Sequence, residues 1–400
     1  MSEEDLLDEP GMQGLRRDLL ERALPHYKAF LAESQGNSKL ADKVAATWFR
    51  IGRIRESSGD VQGAVEAFEE ARLLQEKLIK EPSTSQRKEE LESQREGALG
   101  DTLNAFGKLR SKQNNTLDAM KLFEESYAYR EKRAKQSPRN LDLQRAECNT
   151  LMNLGLSYVA NEDTGNGLER IARAQRRREE LLSEFPKSDK LLQEIAEGWY
   201  TLGKVTMARG DIEQTNSYLS KSTDAFEELY QLNKTSLRIQ SEYGVALRLL
   251  GVTYCEQGEP DRALEFLKRA VPLTQRLADA NPEVLAYRIE AGQLAIDLAS
   301  SHAATEDWNE SERWWQKGIE VQRALLLDQP KDPRIRRDLA DCLSGIASVY
   351  EARGSLALAA ARTQEAIQLL EELISEDPQS ESIQEALDQN RENLKRLRTN

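Results

Sequence analysis

Few residues of this chain are equipped for covalent or acid–base chemistry. It has two histidines in 400 residues, His26 and His302. Neither belongs to a His-Glu-x-x-His metal pattern, and the chain has no phosphate-binding glycine loop and no Gly-x-Ser-x-Gly elbow. His-Arg-Asp and Asp-Phe-Gly, which a protein kinase needs, are missing too. Cys148, Cys255 and Cys342 are far apart, odd in number and outside any Cys-x-x-Cys pattern. They read as reduced, packed thiols rather than a disulfide framework or a zinc site. Arg176, Arg177 and Arg178 form one basic cluster, but Glu179 and Glu180 follow at once, so a helical charge patch is expected rather than a phosphate site. The expectation is a non-catalytic protein with no metal and no cofactor.

What the chain does have is a spacing. Gly107, Gly155, Gly203, Gly251, Ala299 and Ala347 follow one another at intervals of 48 residues, and Gly52 lies 55 before the first of them. The residue before each of these seven reference positions is apolar: Ile51, Phe106, Leu154, Leu202, Leu250, Leu298 and Ile346. Seven positions before each one the side chain is small, as at Ala45, Cys148, Ala196 and Ala340. Small residues seven apart share a helical face and let a second helix approach closely. Glycine inside a helix costs about 1 kcal/mol relative to alanine, so close packing must offset it.

A turn and a second helix follow. Seven after the reference come Gly59, Asn114, Gly210, Gly258 and Gly354, with Glu162 and Glu306 in the other two units. Glycine and asparagine tolerate the left-handed conformation that ends a helix. Phe68, Phe123, Ile171, Leu219, Leu267 and Trp315 then mark a buried face. Pro138, Pro186, Pro282, Pro330 and Pro378 close their units, since proline cannot continue a helix. Pro25 and Pro272, inside second helices at the same register, suggest a tolerated bend. A period of this size marks a solenoid whose units lean on their neighbours.

These residues resemble the tetratricopeptide repeat. Trp199-Tyr-Thr-Leu-Gly203, Leu250-Gly-Val-Thr-Tyr254, Leu154-Gly-Leu-Ser-Tyr158 and Ile346-Ala-Ser-Val-Tyr350 carry the likeness. The family's usual unit is roughly 34 residues; the extra length here predicts helices of roughly 20 residues, or about 30 Å. Long units of this kind resemble those in the C-terminal regions of certain bacterial serine/threonine protein kinases. The resemblance implies an all-α, right-handed superhelix: a tetratricopeptide-like solenoid of about seven 48-residue hairpins with capping helices. The expected order is an acidic, disordered arm over 1–13 and an N-terminal half-repeat helix over 14–35. Seven repeats then occupy 36–82, 83–138, 139–186, 187–234, 235–282, 283–330 and 331–378, before a C-terminal capping helix over 379–400. The array is expected to be continuous. The cap keeps Ile383, Leu387 and Leu394 but has Asp388 and Lys395 where small residues would accept another helix. An insertion near 83–94 is expected to lengthen one first helix by two turns.

In this family the first helices line a concave groove, which places the binding face. Groove positions carry Arg53, Asn104, Lys108, Asn149 and Arg248, with Lys204, which could hydrogen-bond a carboxylate or an acidic peptide. Met152 and Tyr200 could take apolar side chains. His302 takes the place of Tyr158, Tyr254 and Tyr350 and is expected to pack. Trp314 and Trp315 are expected in the core and Trp308 at a helix entry.

A formal net charge of -13 disfavours nucleic acid as a partner. No apolar run is long enough for a membrane span, and the acidic N-terminus lacks a secretory signal. The reading is a cytoplasmic scaffold that binds a protein or peptide partner, of undetermined oligomeric state. The alternative is a regulatory region of a bacterial serine/threonine kinase, separated from its catalytic domain.

Overall fold

The computed structural model describes residues 13–34, 40–80 and 88–399. Among them are sixteen α-helices and no strand. They fall into two compact units, divided between Arg209 and Gly210. The N-terminal unit holds α1 (Gln13–Glu33), α2 (Ala41–Ser58), α3 (Val61–Lys80), α4 (Lys88–Lys112), α5 (Thr116–Gln136), α6 (Leu141–Ala160), α7 (Thr164–Glu184) and α8 (Asp189–Ala208). The C-terminal unit holds α9 (Ile212–Leu232), α10 (Leu237–Glu256), α11 (Pro260–Ala280), α12 (Leu285–Ala304), α13 (Trp308–Asp328), α14 (Pro333–Ala352), α15 (Leu356–Glu376) and α16 (Glu381–Thr399). The expected acidic arm lies almost wholly outside the described residues.

Within each unit every helix packs on the next, and first helices also touch first helices, α2 on α4 on α6 on α8 and α10 on α12 on α14. Helices α5 to α15 have 20 or 21 residues, as the long unit predicts. The inserted stretch appears in α4, which reaches 25 residues. That is five more than α6 within the described residues; 83–87 of the expected insertion lie outside them. Pro272 lies inside α11, which runs through it. Pro138, Pro186, Pro282, Pro330 and Pro378 each fall just beyond a helix end.

At Gly52, Gly107, Gly155 and Gly251 the paired helices approach closely. A Cβ on Gly52 would lie 2.6 Å from the Phe68 ring, so the glycine makes the space that the phenylalanine fills. Ile51, Phe106, Leu154, Leu202, Leu250, Leu298 and Ile346 are all buried beside these contacts. Side chains of Asn115, Asn140, Asp163, Ser188, Asp211, Ser236, Asp307 and Asp332 accept backbone N–H groups at helix entries. Such caps contribute about 1 kcal/mol each.

All seven turn positions have positive φ, including the two glutamates, Glu162 at 65° and Glu306 at 59°. A side chain pays for that conformation with a clash between Cβ and the next carbonyl, which glycine lacks. Glu162→Gly should therefore stabilise the α6–α7 hairpin by about 0.5–1 kcal/mol, after allowing for the extra chain entropy of glycine. Thermal unfolding would show the higher midpoint; an unchanged or lower one would mean that the turn carries no strain.

At the C-terminal end, α16 buries Leu387, Leu394 and Leu397 against the unit's core. Asp388 and Lys395 are exposed. Trp315 is buried, and Trp308 and Trp314 pack partly against the same core.

Candidate partner-binding face

The first-helix face of the N-terminal unit gathers seven of the expected groove residues. Arg53 and its neighbour Glu56 come from α2, and Asn104 and Lys108 from α4. Asn149 and Met152 lie on α6, and Tyr200 and Lys204 on α8. Arg248 lies on α10, in the other unit.

Arg53, Asn104 and Lys108 share one cavity of about 430 Å³, with Glu56, Asp101, Lys112 and Arg130 also on its walls. Both carboxylates there already have close cations. Lys112 Nζ is 2.7 Å from Glu56, and Arg130 Nη2 is 2.6 Å from Asp101. Arg53 only approaches Glu56, at 3.8 Å. Lys108 makes no hydrogen bond or ion pair among the described residues. Its ammonium is held below the ordinary lysine range, first by desolvation and then by the neighbouring charges of Arg53 and Arg130.

Asn104 is buried, and its carbonyl oxygen accepts from Thr150 Oγ1 at 3.3 Å and Asn153 Nδ2 at 3.0 Å. It thus ties α4 to α6. Asn149 bridges as well: its Oδ1 accepts from Arg178 Nη2 at 2.5 Å, and its Nδ2 donates to Glu194 on α8 at 3.1 Å. Arg145 meets the same Glu194 at 2.6 Å. Met152 is buried, and Lys204 lies exposed with its ammonium 5.7 Å from the centre of the Tyr200 ring. Of the expected donors here, Lys108, Arg53 and Lys204 are the ones left facing outward, while Asn104 and Asn149 hold helices together.

Arg130 and Arg178 were not expected on this face, because they belong to second helices. Each reaches between two first helices. Arg130, on α5, donates to Ala146 O at 3.0 Å and Thr150 Oγ1 at 2.6 Å on α6, besides Asp101 on α4. Arg178, on α7, donates to Glu194 O at 2.8 Å on α8 and to Asn149 on α6. They occupy one register, 48 residues apart, where the other units carry Gln75, Phe226, Thr274, Gln322 and Leu370. Polar residues at a buried register were the available signal.

In the C-terminal unit Arg248 is enclosed by acceptors on α12. It meets Glu290 at 2.5 Å, Asp297 at 2.9 Å and Gln293 at 3.1 Å. Desolvation works against its charge, but Glu290 and Asp297 together outweigh it and hold the guanidinium charged, while burial pushes the Asp297 carboxyl up. A partner's carboxylate would have to displace Glu290 or Asp297 to reach it.

Asp338, on α14, is the contrasting group. Its recorded hydrogen bond is a long one, from Gln322 Nε2 at 3.4 Å. Burial, then Asp341, Asp297 and Asp332, push it up to about 6, against the weaker pull of Arg334. A carboxyl raised above its unfolded value stabilises the fold when protonated, and that contribution is lost as pH rises through about 6. Asp338→Asn should therefore raise stability at pH 7.5 by about 1–2 kcal/mol, discounted for partial exposure, and leave it unchanged at pH 4. Denaturant titrations at the two pH values check this.

His302 is buried, with Nδ1 3.2 Å from Asp307, and burial followed by Lys268 holds its pKa below the ordinary value. It packs as expected of a structural residue. Among the described residues no group of His, Cys, Asp and Glu is placed to hold a metal ion, and no helix is long and apolar enough to cross a membrane.

Three segments of the chain match tetratricopeptide repeat models: 45–77, 245–282 and 345–380. Among solved structures, the chain is similar to aspartyl phosphate phosphatase F from Bacillus subtilis. The TM-score is 0.51 at 14% identity, over 90% of this chain and 82% of that one. It is also similar to the nuclear import adaptor Nro1 of S. pombe, with a TM-score of 0.50 at 15% identity, over 74% of this chain and 99% of that one. At such identities the likeness is one of fold. No curated protein matches the sequence. Segments in both units thus match tetratricopeptide repeat models, and the described residues form an all-α stack of hairpins within each unit.

Proposed function

We propose that the chain is a non-catalytic interaction scaffold whose N-terminal unit binds an acidic protein segment along its first-helix face. The observation that carries this reading is Lys108, a cation that makes no ion pair among the described residues although Glu56 lies on the same cavity, beside an outward-facing Arg53. A carboxylate there gains charge-assisted hydrogen bonds and competes only with the long Arg53–Glu56 pair, at 3.8 Å. Lys204 and Tyr200 extend the face over α8, where an apolar side chain or a second acid can rest. Within an acidic chain, a local excess of positive charge also selects the acidic stretch of a partner and speeds its encounter. Three free cysteines and the acidic composition favour a reducing, cytoplasmic setting and disfavour nucleic acid.

The test is a degenerate peptide library with a fixed central glutamate, measured by fluorescence anisotropy at several salt concentrations. Lys108→Glu should weaken the selected peptides at least tenfold, and binding should fall as salt rises. Equal affinity in Lys108→Glu and Arg53→Glu would end the proposal.

The 48-residue unit supports a second reading, a repeat region of a bacterial serine/threonine kinase. Translation of the DNA upstream of Met1 tests it: a kinase domain in frame supports it, and a nearby stop codon removes it.

A further inference from the structure

We infer that the cavity between α2 and α4 is a receptor for a phosphorylated side chain, with Lys108 and Arg53 taking the dianion. This rests on the scaffold reading and names the chemistry of its anchor. Four cations, Arg53, Lys108, Lys112 and Arg130, face two carboxylates, Glu56 and Asp101. Lys112 and Arg130 hold those carboxylates at 2.7 and 2.6 Å. Two positive charges are therefore left for a ligand, on different helices and on one cavity. A single carboxylate neutralises one of them; a phosphoryl group, with a charge of about -1.5 to -2 near neutral pH, matches both.

The donors on these two cations also suit the acceptors of a phosphoryl group. A phosphoryl group offers three oxygens, against the lysine ammonium and the guanidinium fork, whose geometry suits a phosphate. The space, about 430 Å³, admits the group together with the side chain that bears it. Its walls are mostly charged or amide groups, with Phe49 and Ala105 the apolar exceptions, so charge and hydrogen bonding must supply the selectivity. Arg130 fixes the floor, because its other donors reach Ala146 and Thr150 on α6. Desolvation weighs most on Lys108, but Arg53 and Arg130 also crowd it with like charge that Glu56 offsets only in part, and a bound dianion relieves that crowding. The corresponding first-helix face of the C-terminal unit has the opposite character, with Glu290, Asp297, Asp338 and Asp341 along α12 and α14.

The experiment compares three degenerate peptide libraries on the full chain, with phosphoserine, glutamate or serine fixed at the centre, at pH 7.5 and 5.5. Phosphoserine should bind at least tenfold tighter than glutamate at pH 7.5. That advantage should shrink several-fold at pH 5.5, because the second phosphate ionisation lies near pH 6. Lys108→Gln and Arg53→Gln, each checked for an unchanged melting temperature, should abolish the preference. Glutamate and phosphoserine binding equally, or a preference that survives Lys108→Gln, would overturn the inference and leave the acidic-segment reading standing. If no library binds, both fall together.

Discussion

Arg248→Met is expected to destabilise the C-terminal unit by about 3–5 kcal/mol, the largest single effect anticipated in this chain. The reason is what the substitution leaves behind. Glu290 and Asp297 converge on Arg248 from one helix, at 2.5 and 2.9 Å, and are themselves largely shielded. Removing the guanidinium strands two carboxylates in a place where water cannot replace it. The cost should be much smaller in the triple variant Arg248→Met, Glu290→Gln, Asp297→Asn, since no uncompensated charge remains. Denaturant unfolding of the single and triple variants separates the two cases. A loss below about 1 kcal/mol in the single variant would show the cluster to be solvated like an ordinary surface pair.

Gly155→Val is expected to cost about 3 kcal/mol, at the upper end for an overpacked contact. Gly155 on α6 and Gly167 on α7 face one another backbone to backbone. A Cβ on Gly155 would lie 2.8 Å from the Gly167 carbonyl oxygen and 2.7 Å from Ile171 Cγ1. A flexible side chain could yield; a helix backbone cannot without parting the hairpin. Gly165, on α7, has open space around its Cβ position, so Gly165→Val supplies the control and should stay within about 0.5 kcal/mol. Thermal melts of the two variants give the answer, and equal midpoints would contradict the close approach.

Much of the architecture could be read from the residues because steric fit repeats. Ile51 and its six equivalents are buried, and Glu162 and Glu306 adopt the left-handed turn that only their register, not their chemistry, announced. The candidate face was less legible. Register identified Asn104, Asn149 and Arg248 as lying on first helices, but it does not say how far a neighbour's side chain reaches. Thr150, Arg178 and Glu290 reach them and engage their polar groups. Arg178 itself is expected from sequence to be one of three arginines in a helical charge patch; it is buried, because a 48-residue period marks position and not the direction of a long side chain. The division at Arg209 has no counterpart in the period, which runs through it unbroken from Gly203 to Gly251.

Arg130 and Arg178 each start on one hairpin and end on the helix that begins the next. Neighbouring repeats are therefore keyed to each other by donor and acceptor, and cannot be shuffled like beads on a string. A chimera that moved the second repeat's arginine beside a successor without Thr150 would cost Arg130 its hydroxyl acceptor at 2.6 Å and leave it a backbone carbonyl and Asp101. Lengthening or reordering this array, by evolution or by design, has to carry lock and key together.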